Sequence, residues 1–208
     1  MATGTYLHMT IDPGTGRPVI PGIYGATEWV IGADEVGRGS LAGPVTVASV
    51  MAPATLSGMD VTDSKKLSAG KRQAIDKALR AHPDVKFALA SRPATDIDKF
   101  GIATCLKQCF EEVVRKLKET NPTIKPRILI DGEPIKGFVF QQTEYRIKGD
   151  DKVWAIGAAS IIAKVWRDAY MADMNRNHPG YGWDANAGYG TPGHINAIRV
   201  NGLTLMHR

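Results

Sequence analysis

Residues 30–47 read V-I-G-A-D-E-V-G-R-G-S-L-A-G-P-V-T-V, and the predicted fold is built outward from this stretch. Apolar runs at its two ends predict two strands joined by a turn. The first strand carries adjacent carboxylates, Asp34 and Glu35, although acids are depleted in strands and repel each other unless a cation joins them. The cluster of glycines between the runs indicates positive φ angles or a backbone that closely approaches another group.

Three interpretations of this stretch were compared. The first is a β-hairpin with polar turn residues. The second is a phosphate-binding loop, which we reject because Arg38 and Gly39 stand where Lys and Ser or Thr are required, and because two carboxylates would repel a triphosphate. The third is a divalent-metal site in which Asp34 and Glu35 bind a hard cation while the glycine-arginine turn holds a substrate. The hairpin and the metal site both remain open on these residues alone.

Length predicts a single domain, placed over residues 28–208, and the pattern of strands and helices predicts the α/β class. An irregular lead-in over residues 1–27 precedes it, in which residues 20–24 are expected to pack on the domain. The net charge of +5 is compatible with a polyanionic partner. We see no apolar run long enough for a membrane span and no secretory signal. Cys105 and Cys109, four residues apart in a helical pattern, suggest packed thiols, and we expect a cytoplasmic protein.

Periodicity and turn signals place the remaining elements. The predicted elements are a helix over 69–81 capped by Ser68, a strand over 85–91, a turn near Thr95, a helix over 102–119, a strand over 127–131, a short strand within 139–147, a helix over 153–175 and a short helix that ends near Val200.

Acids and cations recur at element ends and on one helix face. Asp131 follows an apolar strand directly, where α/β folds place ligands, although Asp-Gly is also a common turn. Ser160, Lys164 and Asp168 are spaced four residues apart, so one helix face carries a hydroxyl, an ammonium and a carboxylate. These residues form either a surface ion pair or part of a functional site.

Two loops complete the set of candidate residues. Lys65 and Lys66 precede a helix and form either a solvated junction or a phosphate contact. The glycine-aromatic loop over 178–194 is either a packed loop or a platform on which sugars and bases stack. Its two histidines, His178 and His194, are expected to be structural or phosphate-facing rather than metal ligands, since Mg²⁺ prefers carboxylates.

Several motifs occur together in one order along the chain. They are D-E-V-G-R-G at 34–39, D-S-K-K-L-S at 63–68, I-D-G at 130–132, G-D at 149–150, A-A-S-I-I-A-K-V-W-R-D at 158–168 and G-Y-G-T-P-G-H at 188–194. Over about residues 29–208 this pattern resembles the ribonuclease HII family. The resemblance implies a ribonuclease H-like fold, with a mixed central β-sheet flanked by helices.

The resemblance also implies the chemistry. The four catalytic, metal-binding acids would be Asp34, Glu35, Asp131 and Asp168. They would hold two divalent ions, Mg²⁺ or Mn²⁺, for in-line hydrolysis. Asp34 would bridge the ions, Asp131 and Glu35 would serve the leaving-group ion, and Asp168 would serve the ion on the water side.

The implied substrates are RNA–DNA hybrids and duplex DNA with embedded ribonucleotides, cut on the 5′ side to leave 3′-OH and 5′-phosphate ends by a monomeric enzyme. In the family the glycine-arginine-glycine backbone reads a ribose 2′-OH, the group that distinguishes RNA from DNA, and the loop tyrosine stacks on the next sugar. The implied substrate-binding residues are Gly37, Arg38, Gly39, Lys65, Lys66, Ser160, Lys164 and Tyr189.

This chain departs from the family pattern in three places. Ser40 stands where Pro is usual, and Ala187 stands where a basic residue is common. The sequence ends at Arg208, where many relatives continue, and we expect this difference to bear on stability and duplex affinity. The related HIII type differs by a longer N-terminal region and a last acid that is glutamate. A catalytically silent hybrid-binding protein is the alternative from another functional class.

Overall fold

The structure is a computed structural model that describes residues 10–11, 18–19, 28–140 and 142–208. Its strands are β1 (Thr10–Ile11), β2 (Pro18–Val19), β3 (Trp29–Val36), β4 (Val45–Pro53), β5 (Lys86–Arg92), β6 (Arg127–Asp131) and β7 (Thr143–Arg146). Its α-helices are α1 (Ala69–Ala81), α2 (Ala94–Phe100), α3 (Ile102–Thr120), α4 (Trp154–Asn177), α5 (Trp183–Asn186) and α6 (Pro192–Asn201). Short 3₁₀ helices cover Ser64–Lys66 and Gly149–Asp151.

A five-stranded mixed sheet in the order β5-β4-β3-β6-β7 forms the centre of the fold. Strands β3, β4 and β5 pair antiparallel, and β6 and β7 add in parallel beside β3. The hairpin predicted over residues 30–47 is thus present, with β3 as the middle strand. The predicted α/β class with a mixed sheet is confirmed.

Helices cover both faces of the sheet. The apolar side of α3 packs on one face, with Cys105, Cys109 and Val113 fully buried against the strands. Helices α1 and α4 cover the other face, where Leu79 and Ile161 are fully buried. The two cysteines are free thiols, as the sequence predicted.

A close contact between β3 and α4 explains the small residues of this helix. A Cβ atom built on Gly32 would lie 2.3 Å from the carbonyl carbon of Ala155 and 2.4 Å from the backbone nitrogen of Ile156. Only glycine allows such an approach of helix to strand. The contact brings the first turns of α4 against the strand that carries Asp34.

Most predicted elements are present, and the differences have local causes. Helix α1 has the predicted bounds, and α3 and α4 differ by at most two residues at either end. Helix α2 occupies the place where a turn was predicted. It is only seven residues long and has Pro93 at its N-cap, and both features resemble a turn in the sequence. The short helix α5 was also missed. The predicted strand within 139–147 reduces to β7.

Most of the lead-in predicted over residues 1–27 lies outside the described residues. Its two described segments, β1 and β2, pair antiparallel. The predicted packing of residues 20–24 lies wholly outside them. Within the described part of the chain, no helix is both long and apolar enough to cross a membrane.

Candidate active site

Asp131 is the last residue of β6, and Asp34 lies two residues before the end of its parallel neighbour β3. The register of β3 and β6 pairs Ala33 with Ile130, so Asp34 and Asp131 come one residue later on adjacent strands. Paired residues of adjacent strands point to the same face of the sheet, and neighbouring strands are about 4.8 Å apart. Gly32 shows that this is the face covered by α4, since side chains alternate along β3. The sequence prediction that Asp34 and Asp131 lie close together is supported by this register.

Burial and like charges raise the pKa values of Asp34 and of its neighbour Glu35. Asp34 is 6% exposed, and burial, followed by the charges of Glu35 and Asp131, raises the pKa of its carboxyl group from 3.8 to about 8. Burial also raises the pKa of Glu35, and the charge of Asp131 adds to this while Arg38 opposes it. The ionised forms of Asp34 and Glu35 are thus destabilised, and a bound cation would stabilise them.

One serine contacts the Asp34 carboxylate, and a second serine contacts the first. The side chain of Ser160, on α4, hydrogen-bonds to Asp34 and lowers its pKa against the trend of burial. The Ser160 hydroxyl also lies 3.0 Å from the hydroxyl of Ser64, which is buried in the first 3₁₀ helix. Ser160, predicted to bind substrate, is therefore a direct partner of an acid. Ser64 was missed by the sequence analysis.

Asp168 lies further along α4 with cationic partners. Its Oδ1 accepts a hydrogen bond from Lys164 Nζ at 2.7 Å, and its Oδ2 lies 3.6 Å from Arg72 Nη2 of α1. Asp168 is eight residues beyond Ser160, which corresponds to about 12 Å along the helix axis. The direct partners of Asp168 in the structure are thus these two cations.

Another acid, Asp150, lies next to Asp131. The backbone N–H of Gly149 donates to Asp131 Oδ1 at 2.6 Å, so the second 3₁₀ helix begins at the end of β6. Asp150 is 8% exposed, and burial followed by the charge of Asp131 raises its pKa. The sequence analysis noted the Gly149-Asp150 motif without assigning Asp150 a role. The position of Asp150 shortly before α4, a helix rich in small residues, could have suggested a functional role.

The two lysines of the first 3₁₀ helix have different partners. Burial lowers the pKa of Lys65, but the nearby charges of Asp63, Asp150 and Asp34 outweigh burial and raise it overall. Lys65 therefore lies within the field of the acid cluster. Lys66 instead forms a 2.5 Å ion pair with Asp151 at the surface, which ties the two 3₁₀ helices together.

The glycine-arginine turn after β3 presents its tip to solvent. Arg38 and Gly39 are exposed, whereas Gly37 and Ser40 at its base are buried. Gly37 has φ = +86°, and a Cβ atom there would lie 2.3 Å from the side chain of Arg167, so no other residue fits. The Arg38 guanidinium lies 3.8 Å from Glu35, which joins the turn to the acid cluster.

The buried guanidinium of Arg167 holds this turn and the glycine-aromatic loop together. Arg167 is fully buried on α4 and donates to the carbonyls of Pro44 at 2.8 Å and Ala42 at 3.0 Å. It also donates to the Ala187 carbonyl at 2.8 Å and to Ser40 Oγ at 2.7 Å. The sequence analysis missed Arg167, although it lies seven residues after Ser160 and so on the same helix face.

Backbone contacts of Gly188 and Tyr189 hold Tyr189 beside the turn. The preceding residue, Gly188, accepts hydrogen bonds from the N–H groups of Leu41 at 2.8 Å and Ala42 at 3.2 Å. The Tyr189 carbonyl lies 2.9 Å from His194 Nδ1. His194 is fully buried and accepts a 2.9 Å hydrogen bond from Trp183, so it is structural, one of the two roles expected for it.

The donor chemistry of the cluster suits a hard divalent cation, because carboxylate oxygens dominate it. In the described part of the chain, no three His, Cys, Asp or Glu side chains are already arranged to hold an ion. Asp34, Glu35 or Asp131 would have to rotate its side chain before the three could bind one ion together. A separate cleft of about 630 Å³ lies at the start of β6, lined by Lys118, Arg127 and other residues, and is remote from these acids.

Comparison with solved structures identifies the fold. The ribonuclease HII of Archaeoglobus fulgidus, solved in complex with PCNA, superimposes with a TM-score of 0.69 over 86% of this chain and 91% of its own, at 23% identity. The Bst-RNase HIII in complex with Mn²⁺ superimposes with a TM-score of 0.67 over 87% of this chain and 65% of its own, at 20% identity. The fold and the acid cluster together define a ribonuclease H-like α/β protein with a candidate metal site.

Comparison of sequences identifies the family. The family model for ribonuclease HII matches residues 31–208. The ribonuclease HII of Shouchella clausii is 39% identical over 179 residues, which are 86% of this chain and 66% of that relative. The chain therefore belongs to the ribonuclease HII family, and it is a hydrolase of the ribonuclease H type.

Proposed function

We propose that this protein is a metal-dependent endonuclease that hydrolyses the RNA strand of RNA–DNA hybrids and cuts 5′ of ribonucleotides embedded in duplex DNA. The observation that carries the proposal is the buried Asp34 carboxyl beside Glu35 and Asp131, whose mutual repulsion a cation would relieve. The exposed glycine-arginine turn lies directly after this cluster along the chain and supports ribose recognition.

The metal ligands in this proposal are Asp34, Glu35 and Asp131, with Mg²⁺ or Mn²⁺ as the ion and two ions in the active complex. The Mn²⁺ of the HIII neighbour supports this choice of metals. When bound, such ions would supply Lewis-acid stabilisation of charge on the attacking and leaving oxygens, giving 3′-OH and 5′-phosphate products.

The fourth acid has two candidates. The sequence predicts Asp168, which remains a prediction. The contacts favour Asp150, because its neighbour Gly149 hydrogen-bonds to Asp131 and because the charge of Asp131 acts on it directly. Asp168 is already neutralised by Lys164 and Arg72. We propose that Asp150 completes the acid cluster and that Asp168 orients Lys164 toward the substrate backbone.

The remaining predicted substrate residues have separate roles in the proposal. Lys65 attracts the scissile phosphate to the acids, because its ammonium group already interacts with the charges of Asp150 and Asp34. The backbone of Gly37, Arg38 and Gly39 contacts the ribose 2′-OH. Tyr189 stacks on the following sugar, and Lys66 contacts a phosphate only when its ion pair with Asp151 opens. Ser160 orients Asp34.

An assay on a labelled RNA–DNA hybrid tests the proposal. Wild type, Asp34→Asn and the exposed control Asp173→Asn are incubated with Mg²⁺, Mn²⁺ or EDTA. We expect metal-dependent cutting of the RNA strand by the wild type and the control, and none by Asp34→Asn. Hybrid binding without cutting under every metal would contradict the proposal and favour a silent hybrid-binding protein.

The working form of the protein is also proposed. We propose that it acts as a monomer in the cytoplasm, on the sequence evidence alone. Its partner is the nucleic-acid duplex, to which the net charge of +5 is favourable.

A further inference from the structure

The side chain of Arg208 lies under the glycine-arginine turn. Its Nε donates to the Ser40 carbonyl at 3.0 Å, and its Nη2 donates to the Gly37 carbonyl and to Ser40 Oγ. Its backbone N–H donates to the Leu41 carbonyl at 3.0 Å. A charged donor thus fixes both ends of a turn whose tip is exposed.

These bonds determine which way the peptide groups of the turn point. In a trans peptide the C=O and the following N–H point in opposite directions. Because Arg208 holds the Gly37 carbonyl toward the protein, the N–H of Arg38 must point away from it. In the described part of the chain, the N–H groups of Arg38 and Gly39 have no acceptor. They are therefore free to donate to a ligand outside the turn.

The Ser40 hydroxyl couples the two buried arginines. It donates to the Gly37 carbonyl at 3.0 Å and accepts from Arg167 at 2.7 Å, in addition to its bond with Arg208. Arg167 also holds the carbonyls of Ala42 and Pro44 after the turn, whereas Arg208 holds the carbonyls of Gly37 and Ser40. Placing two guanidinium groups side by side is unfavourable, and burial, followed by the charge of Arg167, lowers the pKa of Arg208 to about 10. The carbonyls and the hydroxyl compensate for this repulsion.

We propose that Arg208, together with Ser40, is a positioning residue that aims the N–H group of Arg38 at the ribose 2′-OH and so contributes to the discrimination of ribonucleotide from deoxyribonucleotide. The inference rests on the proposed function, and it adds to that function a specificity role for residues that do not touch the substrate. Ser40, which stands where Pro is usual in the family, would thus contribute to substrate specificity in this chain.

Binding measurements in an Asp34→Asn background test the role, because binding is then measured without cleavage. The variants are Arg208→Ala, Arg208→Lys and Ser40→Ala, with the exposed Arg176→Ala as the matched control. The Kd is measured for a DNA duplex with one ribonucleotide and for the same duplex made of deoxynucleotides only. The ratio of the two values is the readout, and the melting temperature of each variant is recorded.

We expect Arg208→Ala to lower the preference for the ribonucleotide duplex about tenfold, since a charged hydrogen bond holds the reading group. The Kd for the all-DNA duplex should not change, Arg208→Lys should restore part of the preference, and Arg176→Ala should retain all of it. If Arg208→Ala is too unstable to assay, Ser40→Ala keeps both arginines and should lower the same ratio. A folded Arg208→Ala or Ser40→Ala protein with an unchanged ratio would overturn the inference. Absence of any preference in the parent would instead contradict the proposed function.

Discussion

The backbone N–H of Gly149 donates to Asp131 Oδ1 over 2.6 Å, and this bond fixes the second 3₁₀ helix at the end of the strand that carries Asp131. Asp150 is thereby held in the field of Asp131. Asp168, by contrast, is paired with Lys164 on its own helix. Asp34 and Asp150, which both interact electrostatically with Asp131, thus come from β3 and from the segment after β7.

Substitution of the two candidate fourth acids should distinguish them. We expect Asp150→Asn to lower the cleavage rate about 100-fold, and Asp168→Asn to lower it less than about tenfold, because Asp168 acts through Lys164. Cleavage rates and Mn²⁺ binding by calorimetry are measured for both proteins. Loss of Mn²⁺ binding in Asp168→Asn, with normal binding in Asp150→Asn, would restore the assignment predicted from the sequence.

Without metal, the stability of the protein should fall as the pH rises. The folded state raises the pKa of Asp34 from 3.8 to about 8, so it binds more protons than the unfolded chain between these values. The stabilising contribution of the neutral carboxyl is therefore fully present below about pH 4 and is lost as the pH rises through about 8. We expect the melting temperature of Asp34→Asn in EDTA to rise relative to wild type between pH 5 and pH 8. Parallel curves for the two proteins would contradict the raised pKa.

Removal of the Arg167 guanidinium should destabilise the fold and loosen both substrate loops. The variant Arg167→Met keeps much of the side-chain volume but leaves the carbonyls of Pro44, Ala42 and Ala187 without their donor. We expect a loss of about 3 kcal/mol or more in the free energy of unfolding, since several buried acceptors are left unpaired. Urea denaturation measures it, with the exposed Arg176→Met as control. A difference below about 1 kcal/mol between the two variants would exclude this role for Arg167.

The contact between β3 and α4 should not tolerate a methyl group. In Gly32→Ala the new Cβ would meet the backbone of Ala155 at 2.3 Å, so the helix and the strand must separate. We expect a loss of about 1–3 kcal/mol from overpacking, together with reduced activity because Asp34 lies two residues away. The comparison is Gly70→Ala, where a Cβ meets nothing within 4 Å and alanine should stabilise α1 by about 0.5–1 kcal/mol. Equal melting temperatures for the two variants would contradict the close packing.

The sequence predicted the parts of the fold whose signals are local. The apolar face of α3 follows the helical period, and apolar runs with turn signals between them mark β3 and β4. The pairing of Asp34 with Asp131 could also be expected, because both follow apolar runs that end in a sheet. The short helices α2 and α5 lacked a sufficient period to be distinguished from turns.

The missed residues depend on contacts between distant segments. Arg167 bonds to groups about 125 positions earlier, and Arg208 bonds to Gly37 across 171 positions. No periodicity within one helix reveals such partners. Asp168 is a different case, because its spacing from Lys164 on one helix face was compatible with an ion pair and with a functional site. The structure shows the ion pair, and the catalytic role of Asp168 stays a prediction.

The position of the cut in a duplex with a single ribonucleotide tests the central claim most directly. A DNA duplex labelled at the 5′ end of the ribonucleotide-containing strand is incubated with the wild type or Asp34→Asn in Mg²⁺ or Mn²⁺. We expect one metal-dependent product, with a 3′-OH on the deoxynucleotide that precedes the ribonucleotide, and no product from Asp34→Asn. An uncut duplex under both metals, a cut on the 3′ side of the ribonucleotide, or equal cutting by Asp34→Asn would contradict it.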